Sequence, residues 1–134
     1  MSEETLGNQM CFGCGRQNPI GLQLDFEEIE GEYITRFVGK PEHQGYDNIM
    51  HGGIVSTLLD EIMARYVYAQ GLTAVTARLE VRFLAPTPIG TELTVTGRLA
   101  SSRGRLYELT GNIRLPDGTI TAEGQAKVFV VKPK

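Results

Sequence analysis

The sequence is poor in cysteine and lacks any long apolar run, and both absences narrow the class of protein. Two cysteines among 134 residues are too few for a disulfide-stapled secreted scaffold. No stretch approaches the roughly 20 apolar residues of a membrane span. The first ten residues are partly acidic and lack the apolar segment of a signal peptide. We therefore predict a cytoplasmic protein with no membrane partner.

A large positive charge is also missing, because the formal net charge is −3. This value argues against a protein that coats nucleic acid, which needs a concentrated basic surface. The charge is nevertheless uneven: residues 1–74 carry four basic and eleven acidic side chains, and residues 75–134 carry nine and five. From charge alone, solvated strand faces explain the arginines of the second half most simply, although they could also bind a phosphate-bearing small molecule. These arginines are Arg78, Arg82, Arg98, Arg103, Arg105 and Arg114.

Length and composition favour one folded domain over residues 1–134, with residues 1–20 as an N-terminal extension that contains a Cys/Gly-rich segment. The chain is 41% hydrophobic and 22% charged. A domain of this size buries about two-thirds of its unfolded surface, so it needs neither disulfides nor a structural metal. Cys11 and Cys14 form half of a zinc-site pattern, but no second pair follows, and a redox role lacks its βαβ context. We predict a structural turn there, with both cysteines reduced and no metal bound.

Hydrophobic periodicity predicts one helix among strands. Apolar residues recur at helical spacing from Ile54 to Tyr66, and Gly71 provides a stop signal. Alternation with period two predicts a hairpin of residues 22–27 and 33–38, followed by four strands within residues 75–83, 93–99, 107–113 and 120–130. Short connections favour antiparallel neighbours. We therefore predict an α+β hotdog fold, in which a curved antiparallel sheet wraps one long central helix.

The polar side of the predicted helix carries a carboxylate among small side chains. At about 100° per residue, Asp60 lies nearly opposite the apolar stripe centred between Val55 and Ile62. Its neighbours on that side are Gly53, Ser56, Thr57 and Ala64. A ligand or a second subunit could approach such a carboxylate, although an ordinary solvated residue fits the helical wheel equally well. Glu61 precedes Arg65 by four residues, which predicts a surface ion pair.

His51, Gly52 and Gly53 stand at the start of the same helical pattern. A helix N-terminus presents free backbone N–H groups and the positive end of the helix dipole. Both suit a carbonyl oxygen that becomes an oxyanion. Asp60 follows His51 by nine residues, which is about two and a half helical turns.

Three segments together resemble hotdog-fold acyl-CoA thioesterases of the phenylacetate-degradation (PaaI-like) type. Residues 51–60 contain the motif His-Gly-Gly followed by an acidic residue at the family's spacing. Residues 81–90 are similar to the family's strand and turn after the helix, and residues 11–15 with 18–21 resemble the start of some members. The resemblance covers nearly the whole chain. It implies hydrolysis of an acyl-CoA to the free acid and coenzyme A.

The resemblance also implies roles for individual residues. Asp60 would act as nucleophile or general base, and Gly52 would donate its N–H to the thioester oxygen. His51 would orient the loop or the thioester, and Thr76 would help to hold the attacking water. Charge for the phosphates of coenzyme A would come from two arginines of the segment 101–106. The residues expected to contact the substrate or its coenzyme A are Gly53, Phe83, Ser101, Ser102, Arg103, Gly104, Arg105 and Leu106.

The same resemblance implies an assembly of subunits, and the chain differs from some relatives at one position. The strand over residues 75–83 would be an exposed edge that pairs between subunits. This pairing would give a homodimer or a dimer of dimers, with Asp60 facing the partner chain. No cofactor is expected beyond the coenzyme A of the substrate. Some relatives carry Asn or Gln six residues before the motif histidine, where this chain has Gly45; either Gln44 or Asn48 could substitute.

Two other functions stay open at this stage. A hotdog dehydratase would act on a 3-hydroxyacyl thioester through a histidine and a carboxylate, and a non-catalytic module would bind acyl-CoA without reacting. A serine hydrolase is disfavoured because no G-x-S-x-G motif is present. The sequence does not identify the acyl group, because the following apolar residues could line a tunnel or form plain core: Tyr46, Met50, Met63 and Tyr66.

Overall fold

The computed structural model of the chain describes residues 9–133. Residues 1–8 and Lys134 lie outside the described residues. Most of the N-terminal segment that was searched for a signal peptide therefore also lies outside them. The elements are β1 (Glu27–Ile29), β2 (Glu32–Val38), α1 (Gly52–Ala69), β3 (Leu72–Phe83), β4 (Glu92–Arg103), β5 (Leu106–Arg114) and β6 (Ile120–Pro133). A 3-10 turn at Pro41–His43 precedes α1. The predicted helix and the predicted strands after it are confirmed.

All six strands form one antiparallel sheet in the order β1-β2-β4-β5-β6-β3. The expectation that short connections join neighbouring strands is wrong for β3 and β4, because residues 84–91 carry the chain from one edge of the sheet to a position beside β2. Within residues 9–133, β3 pairs only with β6 and is an edge strand, as predicted. One helix packed against a six-strand curved sheet confirms the α+β hotdog architecture.

The first predicted strand is shorter than expected. Leu22 and Leu24 are buried, but their N–H groups donate to the carbonyls of Phe12 (2.8 Å) and Gly13 (2.9 Å). Gln23 between them has a φ of 54°, which breaks the strand pleat. The backbone groups that a hairpin ladder would use are thus bonded to the cysteine-containing loop, and only three residues remain for β1.

Helix α1 forms because its apolar stripe is buried against the sheet and because the residues that flank it, His51 and Gly71, begin and end it. Its buried residues are Val55, Leu58, Leu59, Ile62, Met63 and Val67. His51 caps the N-terminus, and Gly71 leaves the helix with a φ of 82°, which glycine adopts readily. No helix within residues 9–133 is long and apolar enough to cross a membrane. The cytoplasmic location stays a prediction.

Three glycines form a row across the sheet beneath the helix. Gly97 is opposite Gly111, which is in turn opposite Gly124. A Cβ at Gly97 would lie 2.9 Å from the backbone oxygen of Ile62, and a Cβ at Gly124 would lie 3.0 Å from Cε of Met63. A backbone carbonyl cannot move aside as the end of a side chain can. The row therefore sets how closely α1 approaches the sheet.

A β-bulge in β3 changes which of its residues face the helix. The pairing with β6 shifts by one residue just after Thr76. Thr76 reaches Asp60 on α1, and the ring of Phe83 lies beside Gly52, so both side chains face the helix although seven residues separate them. In a regular strand, positions an odd number apart point to opposite faces. The predicted uninterrupted alternation along β3 is therefore wrong at this point.

Two of the arginines of the basic half form ion pairs on the exposed strand faces. Arg82 lies 3.7 Å from Glu123, and Arg98 lies 3.1 Å from Glu32. Exposed pairs of this kind contribute little to stability. These two arginines fit the simpler interpretation, which is a solvated strand face.

Candidate active site

Asp60 and Thr76 form a hydrogen-bonded pair between α1 and β3. The Thr76 hydroxyl donates to Oδ1 of Asp60 at 2.8 Å, and both side chains are half-buried. The bulge in β3 turns Thr76 towards the helix. Because one hydroxyl holds one carboxylate oxygen, Oδ2 remains available to accept a proton or to attack a carbonyl carbon.

The N-terminus of α1 presents one backbone donor to solvent. Nδ1 of His51 accepts the N–H of Gly53 at 2.8 Å, so Gly53 is not a free donor. Because Nδ1 accepts, the neutral imidazole carries its proton on Nε2. The N–H of Gly52 is the first of the helix and has no acceptor among residues 9–133. Gly52 is exposed, which makes its N–H the donor that an anionic oxygen can reach.

Packing does not explain why residue 52 is glycine. A Cβ there would meet only the ring of Phe83, at an ordinary contact distance of 3.6 Å, and the backbone at Gly52 does not have a positive φ. Phe83 is 58% exposed and lies beside this helix terminus. A glycine that the fold does not require is consistent with close approach of a ligand to the backbone.

The two candidate amide side chains of the loop before α1 differ in their hydrogen bonds. Oε1 of Gln44 accepts the N–H of Asn48 at 2.6 Å, and Nε2 of Gln44 donates to the carbonyl of Pro41 at 3.1 Å. Gln44 thus bonds to its own loop through both ends of its amide. Asn48 is exposed and its side chain has no hydrogen bond within residues 9–133, so Asn48 is the amide that remains available near Gly45.

The segment 101–106, which is expected to contact the phosphates of coenzyme A, lies on the hairpin between β4 and β5. Residues 101–103 end β4, Gly104 and Arg105 form the turn, and Leu106 begins β5. All except Leu106 are exposed. In the described part of the chain, neither Arg103 nor Arg105 forms an ion pair. Their charge is therefore available to an anionic ligand.

The sheet register brings this hairpin to the same end of the sheet as Thr76. Val128 of β6 is paired with Tyr107 on one side and with Thr76 on the other. Two strand spacings, or about 10 Å, therefore separate the base of the hairpin from Thr76. Asp60, Thr76 and the hairpin residues 101–106 form what we call the carboxylate half-site.

His51, Gly52 and Phe83 form a second group, the amide half-site, at the N-terminus of the helix. Gly52 and Asp60 are eight residues apart on α1, which corresponds to about 12 Å along the helix axis. Reacting atoms must approach within about 3–3.5 Å. A carbonyl group within reach of one half-site is therefore out of reach of the other half-site of the same chain.

Glu61 corrects one expectation from the sequence. It does not form a simple surface ion pair with Arg65, because its carboxylate is half-buried beneath the loop that contains Cys11 and Cys14. Burial, followed by the charge of Asp60, raises the pKa of Glu61. Burial also contributes most to raising the pKa of Cys14 to about 12. Neither cysteine forms a disulfide bond in this structure.

The four candidate tunnel residues divide into two kinds. Met50 and Met63 are buried in the core at 4% and 0% exposure, and Tyr66 packs edge-on against Tyr33 with 5.9 Å between ring centroids. Tyr46 is 84% exposed. Plain core therefore explains the two methionines, and only Tyr46 is freely available to a ligand or a partner chain.

The fold and the two half-sites define a hotdog protein with a carboxylate on its central helix and a free amide at the start of that helix. A family model described as the thioesterase superfamily matches residues 47–122, a span that contains both half-sites. The chain belongs to this superfamily.

Comparison with individual proteins agrees with this assignment. Bovine acyl-coenzyme A thioesterase THEM4 is 26% identical over 119 residues, which are 87% of this chain and 49% of THEM4, so the chain spans about half the length of that relative. The solved structure of RHA08564, a thioesterase superfamily protein, has a TM-score of 0.84 at 28% identity and covers 91% of this chain and 60% of its own. Escherichia coli PaaI, from the phenylacetic acid degradation operon, has a TM-score of 0.78 at 22% identity, covering 84% and 83%. The predicted membership of the thioesterase superfamily is confirmed, and the likeness to PaaI shows the same hotdog fold.

Proposed function

We propose that this chain hydrolyses the thioester of an acyl-CoA, releasing the free acid and coenzyme A, in a site assembled from two copies of the chain. The hydrogen bond between Thr76 and Asp60 is the observation that carries the proposal, because it holds a half-buried carboxylate between helix and sheet. The name of the bovine relative, an acyl-coenzyme A thioesterase, supports the substrate class.

The chemistry requires a base or nucleophile and an oxyanion donor. As general base, Asp60 takes a proton from water while the water oxygen bonds to the thioester carbonyl carbon. The carbonyl oxygen becomes an oxyanion that accepts the N–H of Gly52 of the partner subunit. The C–S bond then breaks, and the coenzyme A thiolate leaves and takes up the proton. As nucleophile, Asp60 would form an acyl anhydride that water cleaves.

The exposed edge strand supports assembly from two copies. β3 spans twelve residues, and one side of its backbone has no strand partner among residues 9–133. Val75 and Phe83 of this strand are 54% and 58% exposed. A long unpaired edge strand with exposed apolar side chains can pair with another chain. Pairing β3 with β3 of a second copy would bring each carboxylate half-site towards the amide half-site of its partner.

The reaction class is tested by incubating the full chain with aryl, short-chain and long-chain acyl-CoAs and measuring free thiol with a chromogenic disulfide. We expect thiol release with at least one substrate, at a rate that depends on enzyme concentration. Binding of acyl-CoA without release of thiol would overturn the proposal in favour of a binding module. Loss of water from a 3-hydroxyacyl-CoA without thiol release would overturn it in favour of a dehydratase.

The hairpin arginines should determine affinity for the coenzyme rather than the rate of chemistry. In the double variant Arg103→Gln/Arg105→Gln, we expect KM for an acyl-CoA to rise about tenfold or more, since charge-assisted contacts to phosphate are lost, while kcat changes little. An acyl-pantetheine, which lacks the nucleotide phosphates, should show no such rise. Arg114→Gln, at the far end of β5, is the matched control. An equal KM increase for both substrates would contradict the assignment.

Thr76 should act as a positioning residue for Asp60. We expect Thr76→Val, which keeps the side-chain shape, to lower kcat about tenfold because the carboxylate loses the hydroxyl that orients it. KM should stay within about twofold, and Thr76→Ser should restore kcat. Steady-state kinetics of the three proteins measure this split. A Thr76→Val variant with unchanged kcat would show that the hydrogen bond has no part in the reaction.

A further inference from the structure

A cluster of ligand-type side chains lies outside the two half-sites, where the N-terminal loop meets α1. It consists of Cys11, Cys14 and Glu61, whose sulfur and carboxylate atoms all lie within 4.8 Å of one another. Sγ of Cys11 is 3.9 Å from Oε1 of Glu61 and 4.0 Å from Oε2. All three side chains are half-buried. These three residues have no part in the proposed thioester hydrolysis and do not belong to the hydrophobic core.

The loop is shaped closely around this cluster. A Cβ at Gly13 would overlap Glu61, lying 2.1 Å from its Cδ, so the loop backbone lies directly against the carboxylate. A Cβ at Gly15 would overlap the backbone at Cys11, and the N–H of Gly15 donates to the carbonyl of Cys11 at 2.8 Å. This tight turn holds the two cysteine side chains on the same side as Glu61. The long-range contact with Glu61 is the feature that the sequence did not reveal.

The ligand set and its spacing suit a divalent cation of the zinc class. Zinc takes thiolate sulfur at about 2.3 Å and carboxylate oxygen at about 2.0–2.2 Å, and Cys-x-x-Cys is a usual ligand spacing for it. Tetrahedral geometry with these bond lengths places neighbouring ligand atoms about 3.5–3.8 Å apart. The distances between Sγ of Cys11 and the carboxylate oxygens of Glu61, 3.9 and 4.0 Å, exceed this spacing by only a few tenths of an ångström.

We propose that Cys11, Cys14 and Glu61 bind one zinc ion in tetrahedral geometry, with water as the fourth ligand. Binding converts both thiols to thiolates and releases two protons to solvent. The ion links the N-terminal loop to α1 at the residue next to Asp60, and so fixes the loop on the helix that carries the carboxylate half-site. The sequence predicted no bound metal because a second cysteine pair is missing. In this proposal, Glu61 and a water molecule complete the ligand set instead.

The test is metal uptake by the reduced full chain, measured with Co²⁺ as a spectroscopic probe and with Zn²⁺ by elemental analysis. We expect one ion per chain, with a thiolate-to-cobalt charge-transfer band and the intense visible bands of tetrahedral Co²⁺. The variant Cys11→Ser/Cys14→Ser should lose the charge-transfer band. Glu61→Gln should weaken binding tenfold or more, while Glu42→Gln, an exposed control, should not change it.

A second measurement does not depend on how well the variants fold. Adding Zn²⁺ to the unmodified protein should slow the reaction of both thiols with a chromogenic disulfide at least tenfold, because coordinated thiolates are protected. Reduced protein that takes up neither ion would overturn the proposal. Uptake that is equal in the double cysteine variant would also overturn it. A Cys11–Cys14 disulfide in air, together with no metal uptake after reduction, would instead identify a redox pair.

Discussion

Asp60→Asn lowers kcat/KM for acyl-CoA hydrolysis by about 10²–10⁴-fold, the range expected when a general base or nucleophile is removed. The substitution keeps the local structure, because the amide oxygen of asparagine can still accept the Thr76 hydroxyl that Asp60 accepts at 2.8 Å. The loss should therefore appear in kcat, with KM for acyl-CoA little changed. Thiol release measured over a range of substrate concentrations separates the two parameters.

Asp117→Asn is the matched control for this prediction. Asp117 is exposed in the turn before β6, where its carboxylate accepts the N–H of Thr119 at 2.9 Å, and an asparagine oxygen can accept the same bond. We expect wild-type kinetics from this control. If Asp60→Asn also hydrolyses acyl-CoA at the wild-type rate, the proposed chemistry is wrong.

Gly52→Pro lowers kcat by about 10²–10³-fold, because it removes the backbone N–H that stabilises the oxyanion. The helix should tolerate this change. Proline is favoured at the first position of a helix, and His51 before it has φ −59° and ψ 137°, which is the conformation that a residue before proline prefers. Circular dichroism and thermal unfolding should therefore show an intact fold.

Gly52→Ala separates the lost hydrogen bond from simple crowding. Alanine keeps the N–H, and its Cβ would meet only the Phe83 ring at 3.6 Å. We expect its kcat to fall less than about tenfold, so that proline and alanine differ by tenfold or more. Equal activity of the two variants would show that the amide of residue 52 does not contribute to the transition state.

Much of the fold follows from local periodicity. The apolar stripe of α1 and the alternation in the later strands identify the elements, because burial on one face leaves a regular mark on the sequence. Periodicity does not identify strand partners, and this is why the separation of β3 from β4 was missed. Periodicity also does not reveal a β-bulge, which adds one residue to a strand. Because of the bulge after Thr76, the prediction of which β3 residues face the helix is wrong on one side of it.

The candidate site shows the same division between local and long-range information. Asp60 and the free amide of Gly52 follow from the position of each residue on one helix. Glu61 was misassigned because a pairing rule for neighbours on a helix cannot account for a loop that packs from fifty residues away. The resemblance implied only that Thr76 would help to hold the attacking water. Its hydrogen bond to Asp60 became visible only with the structure of β3 and α1.

The central claim is that each site combines Asp60 of one subunit with Gly52 of its partner, and the most direct measurement is complementation between two inactive variants. Asp60→Asn and Gly52→Pro are co-expressed with different affinity tags, and the heterodimer is isolated through both tags. In a shared-site dimer, one of the two sites then carries both defects and the other carries neither, so the heterodimer should regain about half of the wild-type activity. A heterodimer as inactive as its two parents would contradict the shared site.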